Sequence, residues 1–523
     1  MLFNSYGFIF LFLPITPVVF FALARYGHRL AASWLIAASL FFYAWWNPAY
    51  VALLLASILG NYAIGTTLVR GHERMADSRR RALIWFGVAA NLAILGYYKY
   101  ANFFLANLDI VAGTNWTLGT IILPLGISFF TFTQIAFLVD AYRGEVRECN
   151  FIHYSLFVTY FPHLIAGPIL YHKEMMPQFA HPDMYRINYR HIAVGLTVFF
   201  IGLFKKSVLA DGVAPYVLIV FTAADREHAL TFLEAWAGML SYSMQLYFDF
   251  SGYMDMAIGS SLLLGVKLPL NFHSPYQSVN IFDFWRRWHM TLSRFLRGYV
   301  YAPLSRGSKG GGRLLLSLLV TVLLAGIWHG AGWTFIIFGA LHGFYMVVNH
   351  WWRTLRRALG HNLSRSTRAG RVLARLITFI AVVLTMVFFR ADSVDTAMAI
   401  LKGMAGMNGW ALPDAGFYAL GALGSYLTSV GVPFSALSAR EVIEPDAVMW
   451  ISTLLCIAFF LPNTQQIMGK FQPGLNLYLG DKRKVPAWSQ WEPNWKWAIW
   501  GSCIAFFGVI SITKVSPFLY FQF

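Results

Sequence analysis

Two histidines, His289 and His329, stand where an imidazole could transfer protons inside an apolar environment. His329 follows an apolar run at residues 314–328 and precedes a second one at 333–348, and His289 lies 329 − 289 = 40 residues upstream in a half-polar, basic segment. Imidazole titrates near neutral pH, so it can accept and return a proton under working conditions. A titratable group at the end of a hydrophobic span is costly to place there, which makes His329 a functional-site hypothesis.

The segment around His289 is rich in arginine. Between residues 285 and 313 the sequence contains no acid and carries Arg286, Arg287, Arg294, Arg297, Arg306, Lys309 and Arg313. Arginine forks match phosphate geometry, so Arg286, Arg287 and Arg294 are candidate contacts for a phosphate-bearing substrate. For any single arginine the alternative is a topology signal on the cytoplasmic face, and the sequence leaves both readings open.

The composition places these residues in a membrane protein. The 523-residue chain is 58% hydrophobic and only 12% charged, with a mean hydropathy of +0.56. Soluble domains carry roughly 25% charged residues. Apolar runs of helix-spanning length recur throughout the chain, which predicts an all-α, polytopic integral membrane protein.

The net charge of +17 does not predict nucleic-acid binding, because the basic residues cluster in short loops between apolar runs. In such loops they act as topology signals and contact anionic lipid. Three scattered cysteines predict neither a disulfide framework nor a zinc site. We expect no metal and no permanently bound cofactor.

Basic residues alternate between loops, and this alternation predicts the topology. The loops at 25–29 and 70–81 are basic, whereas the turn at 46–48 is uncharged, so the positive-inside rule places the amino terminus outside. The pattern predicts roughly 11–13 spans within one membrane domain over residues 1–523, and the first span is retained. The clearest predicted spans are 6–24, 30–46, 48–69, 82–98, 121–139, 191–204, 208–221, 229–250, 314–328, 333–350, 374–390, 447–462 and 497–513, with 99–120 as an outer loop.

Three local features complete the pattern. Residues 314–328 and 333–350 predict a hairpin with His329 at its turn. FPHLIAGP at 161–168 predicts either a broken, re-entrant helix or a loop kink with a surface histidine. Asp249 and Asp255 lie in apolar sequence, where each costs ~2.5–3.5 kcal/mol at a bilayer centre. Pairing with arginine is the favoured role for both aspartates, and catalysis is the alternative.

Seven motifs lie in the first 390 residues of the chain. They are YAWWNP (43–48), LGYYKYANFF (95–104), LPLGISFFTF (123–132), FPHLIAGPIL (161–170), QLYFDFSGYMDMAIG (245–259), FWRRWHMTLSRFLR (284–297) and IWHGAGWTFIIFGALHG (327–343). Together and in this order they resemble the membrane-bound O-acyltransferase (MBOAT) family, and within it the bacterial branch that O-acetylates exopolysaccharides such as alginate. Residues 391–523 are less distinctive.

The resemblance implies a helical core around a tunnel or funnel, with His329 as the family's essential histidine and general base and His289 as its upstream partner. It implies a transfer of acetyl from cytoplasmic acetyl-CoA, whose phosphates Arg286, Arg287 and Arg294 would contact, across the bacterial inner membrane for exopolysaccharide O-acetylation. Membrane lipid, the exopolysaccharide and a periplasmic acetyltransferase or carrier protein are the implied partners. Neither a G-x-S-x-G elbow nor an H-E-x-x-H signature is present, which favours direct transfer over a serine acyl-enzyme.

Other functions are compatible with the same sequence features. Acetylation of cellulose or peptidoglycan uses similar subunits, and D-alanyl transfer to teichoic acid belongs to the same family, although that type is shorter. A transporter or flippase without covalent chemistry is the alternative from another class. It predicts half-length segments repeated in two halves, and the sequence shows no such symmetry.

Overall fold

The computed structural model describes residues 1–307, 311–363, 366–413, 421–431, 433–435, 439–475, 485–512 and 518–519. Helices dominate these residues, and one parallel pair of two-residue strands joins β1 (Leu412–Pro413) to β2 (Phe434–Ser435). The helices of the amino-terminal half are α1 Leu13–Ala24, α2 His28–Ala44, α3 Ala49–Arg70, α4 Asp77–Leu95, α5 Ala101–Ala112, α6 Ile127–Tyr142, α7 Phe151–Thr159, α8 Phe161–Leu164, α9 His172–Ala180, α10 Tyr189–Phe204, α11 Asp211–Asp225 and α12 Phe232–Leu263.

The later helices carry the histidine segments and close the chain. They are α13 Ile281–Arg287, α14 Met290–Leu296, α15 Ala302–Ser305, α16 Gly311–His329, α17 Trp333–Ala358, α18 Arg368–Arg390, α19 Val394–Met404, α20 Ala422–Ser429, α21 Pro445–Phe460, α22 Thr464–Ile467 and α23 Trp495–Ile510. Short 3₁₀ helices lie at Pro182–Tyr185, Pro275–Gln277, Arg440–Ile443 and Ala487–Ser489, and π-helical turns at Phe8–Phe12, Gly96–Tyr100, Lys205–Ala210 and Arg297–Tyr301.

The all-α membrane architecture predicted from the sequence is confirmed. Among the described residues, five helices are long and apolar enough to cross a membrane, and four shorter apolar helices accompany them. The five are Ala49–Arg70, Asp77–Ala112, Tyr189–Asp225, Gly311–His329 and Arg368–Arg390. Helices α2, α12 and α17 belong neither to these five helices nor to the four shorter ones, so the predicted number of 11–13 spans stays a prediction. The assignment of residues 1–523 to one domain also stays a prediction.

The sequence pattern predicts a helix end at residue 98 and another at residue 204, and both predictions are wrong. At each position a π-helical turn continues the helix. Residues 99–112 are helical, so α4 and α5 form one helix over Asp77–Ala112 instead of ending in an outer loop at residue 99. Lys205 and Lys206 lie in the π-helical turn that joins α10 to α11, and the result is one helix of 37 residues. Helix α12 also runs 13 residues beyond the predicted end at 250, to Leu263.

Paired charges lie inside the packing of α10 against α12. Lys206 Nζ lies 2.7 Å from Asp249 and 2.8 Å from Asp211, and Lys205 Nζ lies 2.6 Å from Asp255. The predicted pairing of both aspartates is therefore confirmed. The predicted type of partner is wrong, because lysines and not arginines pair with the two aspartates. A lysine at the π-helical turn of the neighbouring helix reaches the aspartate from a short distance, whereas the arginine clusters lie elsewhere in the sequence.

The predicted hairpin of α16 and α17 is confirmed, with His329 as the last residue of α16. Glycines allow the two helices to approach closely: a Cβ atom on Gly326 would lie 2.8 Å from Cα of Gly339, closer than real Cβ contacts. Small residues at such crossings are characteristic of helix packing in membranes.

The predicted helix break at 161–168 is also confirmed, because α8 ends at Leu164 and residues 165–171 are not helical. The alternative with a surface histidine is wrong, since His163 is buried, as are all of residues 154–171. A re-entrant path through the membrane stays a prediction.

Replacing Gly326 by Val should force α16 and α17 apart. We expect a loss of ~1–3 kcal/mol, the usual cost of overpacking a tight interface, seen as a lower midpoint of thermal unfolding in detergent. Gly501→Val on α23 is the matched control, because a Cβ there meets nothing within 4 Å. Equal midpoints for the two variants would contradict the packing described here.

Candidate active site

His329 lies in a buried aromatic pocket at the end of α16, with 3% of its surface exposed. Its ring centroid lies 5.0 Å from that of Phe389 and 6.0 Å from that of Phe338. The pocket therefore excludes water around the imidazole and restricts its rotation. A reacting group that enters this pocket meets a polar ring within an otherwise apolar wall.

A cap of two side chains holds the end of α16. Lys99 Nζ donates hydrogen bonds to the carbonyl oxygens of Trp328, at 2.7 Å, and His329, at 2.9 Å, while Tyr100 Oη donates to Ile327 at 2.8 Å. The last carbonyls of a helix have no partner within the helix, and in an apolar environment each would cost several kcal/mol. The π-helical turn Gly96–Tyr100 thus fixes the backbone that carries His329.

His289 lies in the short turn between α13 and α14, fully buried. Its backbone is left-handed, with φ +44°, which is uncommon for a residue other than glycine and is often found at functional sites. Its ring centroid lies 6.2 Å from that of His329, and Trp328 contacts both rings, at 6.0 and 5.1 Å. The structure brings the two predicted histidines together from elements 40 residues apart.

An irregular segment before α13 supports the turn at His289. Asn271 accepts a backbone hydrogen bond from Met290 at 3.0 Å, and the amide of His273 donates to the carbonyl of Arg287 at 2.9 Å. Hydrogen bonds on both sides of His289 compensate the strain of its left-handed backbone. The sequence pattern does not reveal this segment, because LPLNFHSPYQ has neither hydropathy nor charge to distinguish it.

The three predicted arginines occupy different environments. Arg287 Nε pairs with Asp283 at 2.9 Å. Arg294 forms two hydrogen bonds with Glu174, at 2.5 and 2.8 Å, and its guanidinium lies 4.2 Å from the ring centre of Tyr171. Arg286 is exposed. The phosphate contacts remain a prediction, and Arg286 is the member of the set whose side chain faces outward.

Two further buried histidines, His342 and His163, have structural hydrogen bonds. The indole of Trp285 donates to Nδ1 of His342 at 3.3 Å, so Nε2 carries the hydrogen and lies 3.1 Å from the Thr385 hydroxyl. The ring of His163 hydrogen-bonds through Nε2 to the carbonyl of Phe157 at 2.8 Å. Both rings link neighbouring segments.

Two cavities have the size of a small-molecule site. The Trp328 cavity, about 590 Å³, is lined by Trp45, Trp46, Lys99, Trp328 and residues 123–129, among others, and so reaches the backbone next to His329. The His172 cavity, about 510 Å³, is lined by Gly144, Glu145, Arg147, Glu148, His172, Lys173, Met176 and Pro177. Burial lowers the pKa of His172 to about 4, so its ring is neutral at neutral pH. No group of three or more His, Cys, Asp or Glu side chains in the described parts of the chain is arranged to hold a metal.

Comparison with known proteins identifies the family. The model of the MBOAT, membrane-bound O-acyltransferase, family matches residues 139–390, which contain both histidines. A peptidoglycan O-acetyltransferase of Helicobacter pylori is 44% identical over 79% of this chain and 81% of its own length. The chain belongs to the membrane-bound O-acyltransferase family. It is a multi-pass membrane protein and an O-acyltransferase.

Further relatives cover different shares of the chain. A probable alginate O-acetylase AlgI of Pseudomonas putida is 35% identical over the full length of both chains. A teichoic acid D-alanyltransferase of Bacillus subtilis is 30% identical over 49% of this chain and 65% of its own. The predicted family is thus confirmed, and the relatives with the longer matches act in O-acetylation.

Replacing Lys99 by Met should leave two carbonyls of α16 without partners beside His329. A buried acceptor left without a partner costs ~1–3 kcal/mol, so we expect lower stability. A displaced His329 should also reduce acyl transfer per folded molecule ~10–100-fold, because small misplacements of a reacting group are costly. Tyr100→Phe, which removes only the bond to Ile327, is the control, and unchanged specific activity in Lys99→Met would contradict the positioning role.

Proposed function

We propose that this protein transfers acetyl from cytoplasmic acetyl-CoA to a hydroxyl group at the outer face of the bacterial inner membrane, for O-acetylation of an exopolysaccharide such as alginate. The acceptor hydroxyl belongs either to the sugar or to a periplasmic acetyltransferase or carrier protein. The observation that carries the proposal is the buried pair His289 and His329, with ring centroids 6.2 Å apart. Two imidazoles in one dry pocket provide proton transfer at neutral pH.

In this reaction His329 acts as general base. It accepts the proton of the acceptor hydroxyl as the oxygen attacks the thioester carbonyl, and the carbon–sulfur bond then breaks. The proton passes from the imidazolium to the departing thiolate of coenzyme A, so the enzyme returns to its starting state. A direct transfer of this kind needs no acyl-enzyme, although a short-lived acyl-His329 is the minor alternative.

The two cavities fit opposite roles under the predicted topology. The His172 cavity is lined by residues of the 140–149 loop, which we expect to be cytoplasmic from the alternation of basic loops. Its wall holds Arg147 and Lys173, of which Lys173 also pairs with Glu145, and Arg147 is the contact we favour there for the phosphates of coenzyme A. Of the three predicted arginines, we favour Arg286 as a further contact to the phosphates of acetyl-CoA. The Trp328 cavity contains Lys99 and three tryptophans, which suits a hydroxyl-bearing acceptor.

Peptidoglycan is the second candidate acceptor. The relative from Helicobacter pylori is a peptidoglycan O-acetyltransferase and is 44% identical to this chain, compared with 35% for the alginate O-acetylase from Pseudomonas putida. The second match, in contrast, extends over the whole chain, including residues 391–523. Offering both polymers to one membrane preparation distinguishes the two acceptors.

His329→Ala should abolish acetylation while expression, insertion and coenzyme A binding persist. The loss of one general base costs ~10²–10⁴ in rate, and His329→Gln should not restore it, because an amide cannot accept the proton. The measurement is transfer of labelled acetyl from acetyl-CoA per milligram of monodisperse protein in detergent. His163→Gln, which keeps a donor for the Phe157 carbonyl, controls for the loss of a buried histidine.

Normal specific activity in His329→Ala would refute the catalytic role. A flippase, the alternative from another class, would leave labelled acetyl-CoA intact even in the wild-type protein. The assay therefore tests the residue and the reaction class together.

Cysteine labelling of intact cells tests the topology and the location of the amino terminus. In a background without Cys149, Cys456 and Cys503, an impermeant reagent should reach Thr117→Cys and miss Ser78→Cys, both of which are at exposed positions. Labelling of Ser78→Cys in sealed cells would reverse the orientation and move the acetyl donor to the wrong side.

A further inference from the structure

The buried side chain of Asn271 hydrogen-bonds the ring of His289. Its Oδ1 atom lies 3.3 Å from His289 Nδ1, and the residue is 1% exposed. The same oxygen accepts bonds from the backbone amide of Thr291 at 3.0 Å and from its hydroxyl at 2.9 Å. A backbone amide can only donate, so the atom that faces it must be the oxygen of Asn271 and not its nitrogen.

The orientation of Asn271 is fixed from both ends. The amide nitrogen of Asn271 lies 3.4 Å from the sulfur of Met254. The Thr291 hydroxyl accepts from the amide of Ile169 at 3.1 Å, so its own hydrogen points to Asn271. This chain of bonds ties the buried segment after α8 to the turn that carries His289.

A carbonyl oxygen can only accept a hydrogen bond, and this determines the tautomer of His289. The hydrogen of the neutral ring lies on Nδ1, and Nε2 keeps the lone pair. Phe250, Trp328 and His329 present their rings to His289, with centroids 5.0, 6.0 and 6.2 Å away. Of these neighbours, His329 is the titratable one.

We propose that Asn271 is a positioning residue that fixes the ring and the tautomer of His289, so that Nε2 is the atom through which His289 accepts a hydrogen bond beside His329 during acyl transfer. The inference rests on the proposed function and adds a residue to it. Hydrogen-bond partners of this kind orient histidine ligands and bases in many enzymes, and their loss typically reduces activity ~10–100-fold. The left-handed backbone of His289, held by Asn271 through a second, main-chain bond, serves the same end.

The test compares two substitutions of Asn271 in the full-length protein. Asn271→Leu has similar volume and no acceptor, so we expect a ~10–100-fold fall in kcat with little change in the KM for acetyl-CoA. Asn271→Asp keeps the acceptor oxygen and should recover most of kcat. Its carboxylate stabilises the imidazolium, so the acidic limb of the pH–rate profile should move to higher pH.

Asn61→Leu is the matched control. It makes the same substitution at another buried asparagine, whose side chain bonds Asn91 on α4 and neither histidine, so kcat per folded molecule and the pH profile should stay those of the wild type. Normal kcat in Asn271→Leu would overturn the proposal. If Asn271→Leu does not accumulate, Asn271→Asp decides alone, and an unshifted profile overturns the proposal. Absence of labelled transfer by the wild-type protein would instead contradict the proposed function.

Discussion

The end of α16 must be satisfied by hydrogen bonds in an apolar interior, and the arrangement of the site depends on how this is achieved. Lys99 and Tyr100 bond the carbonyls of residues 327–329, which places an amine donor beside His329 and joins the helix Asp77–Ala112 to the α16–α17 hairpin. Without these donors the last carbonyls of α16 would lack partners in an apolar interior, at a cost of several kcal/mol each. With them, His329 has a fixed backbone, an aromatic pocket and a cavity next to it.

The same constraint explains the other polar groups within the helical core. Asp249 and Asp255 lie opposite lysines, and His289 is tied to Asn271. Removing one partner of a buried ion pair is costly, because the other charge remains without compensation. The pairs at Lys205 and Lys206 thus bind α10 to α12, while the two histidines share the pocket that we propose for acyl transfer.

Hydropathy and charge predicted the helical membrane class, the α16–α17 hairpin and the position of His329, because each depends on residues close in sequence. The partners of Asp249 and Asp255 depended on a helix continuing through a π-helical turn, and tertiary packing decides that. Lys99 was assigned to a loop for the same reason. Asn271 gave no signal, since an uncharged residue in irregular sequence becomes important only through its contact with His289. The roles of His289 and His329 came from the family resemblance.

We propose that acyl transfer occurs between His289 and His329. A structure of the protein with a non-hydrolysable thioether analogue of acetyl-CoA tests this location. We expect the carbon corresponding to the acetyl carbonyl in the pocket shared by the two rings, with room for an acceptor oxygen ~3–3.5 Å away, as a reactive geometry requires. If the acyl group of the analogue lies away from this pocket, in a protein that remains active, transfer does not occur between the two histidines.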